Sequence, residues 1–71
     1  MIPRDRIRAL LADFADAPPT DDAPLAIDSL ALVQLVEALE DEGSIRIAAK
    51  DVTREHFGTI DAIARFLEAK R

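Results

Sequence analysis

Apolar residues recur at helical spacing in three stretches, separated by segments that break the repeat. Ile7, Leu10, Leu11 and Phe14 follow the i, i+3, i+4, i+7 rule and predict an amphipathic helix from about Pro3 to Ala15. Pro3 suits its first turn, where a missing N–H costs nothing. Ala17-Pro18-Pro19 stops it, because a residue preceding proline is pushed out of the α region. Leu32, Leu35, Val36 and Leu39 form the stripe of a second helix, opening at Asp28-Ser29 and running to about Glu42. Either Asp28 or Ser29 can cap it with a side-chain oxygen, and Gly43 is placed to end it in the left-handed conformation. Thr59 caps a last helix from Ile60 to about Ala69, with Ile60, Ile63, Ala64 and Leu67 on its inner face. Lys70 and Arg71 follow at the end where the helix dipole favours cations.

The connections carry their own signals. Between the first two helices lies a long polar loop with Pro18, Pro19 and Pro24, which needs Leu25 and Ile27 as apolar anchors. Ser44-Ile45-Arg46-Ile47 reads as an extended connector with Ile45 or Ile47 turned inward, and a short helical piece from Asp51 to Phe57 is broken by Gly58. The expected fold is all-α, a four-helix bundle of three main helices and a short third one. Residues 1–71 are read as a single domain.

Seventy-one residues without cysteine leave that domain no disulfide to supplement a small core. The single His56 cannot hold a metal alone, and no metal site is expected. No apolar run reaches the roughly 20 residues of a membrane span, and the N-terminus lacks a signal-peptide apolar region, so a cytoplasmic protein is expected. The net charge of −5 argues against a nucleic-acid partner. Its distribution is uneven: from Ala9 to Ile45 there are nine acidic residues and no Lys or Arg. That half should be drawn to basic partner surfaces.

Catalytic constellations are missing. A serine triad would need Ser29 or Ser44 with His56, in a bundle too small for a substrate cleft. Glu40, Asp41 and Glu42 read as a solvated helix end, and the two glycines make no phosphate loop. The chain is not expected to be an enzyme. What stands out is Leu25-Ala26-Ile27-Asp28-Ser29-Leu30, which puts a serine at a helix N-terminus after a long loop. Free N–H groups and the positive end of the dipole make that position tolerant of a phosphate.

With the apolar pattern from Leu30 to Leu39 and the run Phe57-Gly58-Thr59-Ile60, this segment resembles the acyl and peptidyl carrier proteins over essentially the whole chain. The resemblance implies a four-helix carrier fold with 4′-phosphopantetheine attached covalently to Ser29. It implies that Asp28 orients the helix start and contributes to recognition by a phosphopantetheinyl transferase. An adenylating ligase or acyltransferase would then load an acyl or aminoacyl group as a thioester, for delivery to a downstream synthase or transferase. Leu30 and Val33, off the core stripe, together with Glu37 and Arg54, are the expected partner contacts; Leu30 and Val33 have packing under Leu25 and Ile27 as their alternative.

Common fatty-acid carriers differ around this motif, where this chain has Ala26, Ala31, Gln34 and Gly43. Val33-Gln34-Leu35 and His56-Phe57-Gly58-Thr59-Ile60 are more similar to free-standing aminoacyl (D-alanyl-type) or specialised extender-unit carriers of antibiotic pathways. Seven Arg against two Lys, with thirteen Ala, suit a GC-rich bacterial genome. A free-standing monomeric carrier is therefore expected; a fatty-acid or polyketide carrier and a small helical adaptor without prosthetic group are the alternatives.

Overall fold

The structure, a computed structural model, describes residues 2–70. Its elements are α1 (Arg4–Ala12), α2 (Ser29–Gly43), a single 3₁₀ turn at Ala49–Asp51, α3 (Arg54–Phe57) and α4 (Ile60–Ala69). All are helical, as the periodicity predicts. Both α2 and α4 pack on α1, and α3 packs on α4. Ile7, Leu11, Leu35, Leu39, Ile60 and Ile63 are fully buried where these faces meet.

The expected boundaries shift in three places. α1 ends at Ala12 rather than Ala15, because Asp13, Phe14 and Ala15 wind into tight turns toward the prolines, with Phe14 N–H donating to Leu11 O at 2.9 Å. Phe14 is half-buried beside the core rather than inside it. Pro3 stands one position before the helix (ψ 159°), and its carbonyl accepts from Arg6 and Ile7. The piece expected from Asp51 to Phe57 is two elements, because Thr53 takes an extended conformation to cap His56 N–H. In α2 it is Ala31 that is buried with Leu35, Val36 and Leu39, while Leu32 lies half-buried toward the loop.

Gly43 does not take the left-handed conformation. Ser44 does, with φ 52° and ψ 44°, and its N–H donates to Glu40 O. Gly43 is the last helical residue and leaves room for a neighbour: a Cβ there would meet Ile2 Cδ1 at 3.1 Å, and Ile2 is buried against the core. Gly58 has a similar role between α3 and α4, where a Cβ would collide with the Arg54 carbonyl. Thr59 caps α4 through Ala62 N–H, and Ile60, Ile63, Ala64 and Leu67 form the buried face as expected. Ile47 is the inward residue of the connector. Lys70 ends α4, and Arg71 lies outside the described residues.

The long loop is fixed mainly by its backbone. Leu25 N–H donates to Gly58 O and Asp61 N–H donates to Asp21 O, both at 2.9 Å. The second bond fills one of the orphan donors at the start of α4. Arg8 completes the seat, donating to the Pro18 carbonyl and pairing with Asp21 at 2.7 Å. Leu25 and Ile27 are half-buried beside the core, consistent with their expected anchoring. Arg4 and Arg6 tie α1 to α4 and α2, with Arg6 gripping Glu42 through two bonds of 2.6 and 3.2 Å. That grip holds the Glu42 carboxyl below its ordinary range. Its contribution is present above the usual carboxylate pKa and is lost as the pH falls through the lowered one.

Candidate functional site

The end of α2 that meets the long loop is built by Asp28. Its extended backbone (φ −86°, ψ 174°) lets Oδ1 accept Ala31 N–H at 2.8 Å, while its carbonyl accepts Leu32 N–H at 2.9 Å. Asp28 is thus the cap, and Ser29 is the first helical residue. The two candidates for the cap are thereby separated: Ser29 is exposed, and no hydrogen bond to its hydroxyl is present among the described residues. The N–H groups of Ser29 and Leu30 also find no partner there, and the first turn contains no acidic residue. A free hydroxyl beside two free donors at the positive end of a 15-residue helix suits a phosphodiester.

Leu30, Val33 and Glu37 follow on the same exposed face, spaced three and four residues apart. Leu30 is 70% exposed and Val33 54%, so neither packs under Leu25 and Ile27. They give this end of α2 an exposed apolar face. Farther along α2, Glu42 is engaged by Arg6 and Glu40 accepts Ile47 N–H, leaving Glu37 and Asp41 without a cation among the described residues.

Arg54 is exposed on α3 and has no carboxylate within ion-pair distance among the described residues. It shares with α2 an open groove of about 480 Å³, whose walls include Leu25, Ile27, Leu32, Val52 and Phe57. No sequence reading found this groove, because its walls come from three separate segments. His56 packs its ring against Phe66, tilted by 32° with centroids 4.7 Å apart, and its Nδ1 lies 2.9 Å from Asp51 O. Among the described residues no group of side chains could hold a metal ion.

A family described as the phosphopantetheine attachment site matches residues 5–67. The chain belongs to this family of carrier domains. Covalently attached 4′-phosphopantetheine is therefore its prosthetic group, and phosphopantetheinyl transferases and biosynthetic enzymes are the kinds of protein with which such carriers interact. The chain is also 37% identical, over 97% of its length and 94% of the relative's, to the 4-methyl-3-hydroxyanthranilic acid carrier protein of Streptomyces anulatus. No solved structure matches at a significant level. The carrier's helical architecture agrees with the family, and no helix of the described residues is long and apolar enough to cross a membrane.

Proposed function

We propose that residues 1–71 form one carrier domain, modified on Ser29 and serving enzymes of a specialised pathway rather than acting as an enzyme itself. The observation that carries this is the exposed Ser29 hydroxyl beside free N–H donors, with Asp28 taking over the capping role. In the attachment step Ser29 Oγ forms a bond to the β-phosphorus of coenzyme A. The bond from that phosphorus to the adenosine bisphosphate breaks, and the hydroxyl proton passes to a base on the transferase. Asp28 holds the helix start in place and contributes to transferase recognition. When bound, the arm supplies the thiol that this cysteine-free chain lacks.

The loaded group is supplied by an adenylating ligase or acyltransferase and passed to a downstream synthase or transferase. The name of the Streptomyces relative supports an aromatic acyl or aminoacyl cargo over a fatty one. A monomer in the cytoplasm, where coenzyme A and transferase meet it, completes this reading. It is tested by incubating the purified chain with coenzyme A and a broad-specificity phosphopantetheinyl transferase. An intact-mass gain of one phosphopantetheinyl group is expected; no gain from a folded sample would point to a helical adaptor.

Partner enzymes dock on Leu30 and Val33, with Glu37 facing a basic group and Arg54 an acidic one. Exposed charges are screened beyond about 10 Å at 0.1 M salt. Loading by a cognate enzyme, measured below saturation in carrier, should therefore slow as salt rises. A rate indifferent to salt would leave only the apolar pair in the contact.

A further inference from the structure

The segment that joins α2 to α3 carries the opposite sign from α2 itself. From Ser44 to Arg54 the chain has three cations, Arg46, Lys50 and Arg54, against one carboxylate, Asp51. All three cations are exposed, and none has a carboxylate within ion-pair distance among the described residues. Acids close in the chain are committed elsewhere: Asp51 pairs with Lys70 at 3.7 Å, Glu42 with Arg6, and Glu40 accepts Ile47 N–H at 2.7 Å. Asp41 and Glu55, at the two borders of the segment, are the acids that remain. The backbone under the cations is fixed. Ile47 is buried, the Glu40 carbonyl accepts the N–H groups of Ser44 and Ile45, and Asp51 N–H donates to Ala48 O at 2.9 Å to close the 3₁₀ turn. Charges held on an ordered backbone lose less freedom on binding than charges on a loose one.

We propose that Arg46 and Lys50, with Arg54 farther along the same segment, dock a compact acidic patch on a partner protein. This contact has the opposite polarity to the one at Glu37 and needs neither Ser29 nor its arm, so it stands or falls apart from the carrier reading. Cations that the chain does not neutralise itself raise the local potential of a molecule whose net charge is −5. Carboxylates set against them would speed the encounter and fix its register. A continuous polyanion such as nucleic acid is the poorer fit. Glu37 and Asp41 on α2 also lack a cation among the described residues, and they would repel its phosphates. A folded partner can set acids against the connector and bases against α2 within one footprint.

The test titrates the full chain, at low ionic strength, with a short peptide alternating Glu and Gly while backbone amide spectra are recorded. The Gln counterpart of the peptide and a short DNA duplex are titrated in parallel. The Glu peptide should shift the amides of Arg46, Lys50 and Arg54 more than those of Leu30 and Val33, the Gln peptide should shift none of them, and the duplex should bind more weakly. Arg46→Gln and Lys50→Gln should each weaken the Glu peptide about twofold or more, as expected for the loss of one exposed ion pair. Arg65→Gln removes another exposed cation without an ion-pair partner among the described residues, on α4, and should leave the affinity nearly unchanged. All three side chains are exposed, and unchanged thermal midpoints verify that the variants fold. Equal losses in all three variants would reduce the effect to overall charge and overturn the proposal. Shifts centred on α2, no shifts at all, or a duplex that binds as well as the peptide would each overturn it too. The gain of the arm, read by intact mass on the same proteins, reports on Ser29 alone and so tests the carrier reading separately.

Discussion

Ser29→Ala is expected to abolish the gain of a phosphopantetheinyl group while leaving stability within about 0.5 kcal/mol of the parent. The separation follows from the division of labour at the start of α2. Asp28 accepts Ala31 N–H and so fills the capping role, whereas Ser29 is exposed and its hydroxyl holds nothing in place. Removing that oxygen deletes the proposed nucleophile without disturbing the helix. Asp28→Ala should behave in the opposite sense, losing about 1 kcal/mol of stability as the cap is removed. Urea denaturation followed by circular dichroism gives the stabilities, and intact mass gives the modification. A Ser29→Ala protein that still gains the arm would place the attachment elsewhere.

Leu35→Ala is expected to have the largest effect on the fold. Leu35 is fully buried in the face that α2 turns to the core, among Leu11, Leu39 and Ile63. Truncating a buried leucine costs about 2–5 kcal/mol from lost transfer energy and the cavity left behind. A domain of this size has on the order of 4–11 kcal/mol in all, at roughly 0.05–0.15 kcal/mol per residue. The variant should therefore melt at least about 8 °C lower, since 1 kcal/mol moves the midpoint of so small a domain by roughly 4–8 °C. Leu30→Ala, five residues earlier and 70% exposed, should leave the midpoint almost unchanged. Equal losses in the two variants would contradict the assignment of buried and exposed faces on α2.

Local features were legible in the sequence because local physics decides them. The inner face of α4, the Thr59 cap and the helix start at Asp28-Ser29 need only spacing and a side-chain oxygen of the right reach. Features that depend on distant segments were not. Gly43 looks like a left-handed terminator, but the residue that turns is Ser44, and the glycine instead makes room for Ile2 from the other end of the chain. The loop's apolar residues are its expected anchors, yet Arg8 and the carbonyls of Asp21 and Gly58 also fix it, through bonds that no periodicity reveals. The groove with Arg54 arises from the loop, α2 and α3 together, and only the folded chain brings its walls into register.

One measurement bears directly on the carrier role and on the proposed attachment of the arm to the first residue of α2. Fragmentation of the modified protein tests both parts at once. After reaction with coenzyme A and transferase, the added phosphopantetheinyl mass should map to the peptide containing Asp28, Ser29 and Leu30, with the modification on the Ser29 oxygen. Added mass on Ser44, Thr20, Thr53 or Thr59, or none on a folded sample, would contradict it.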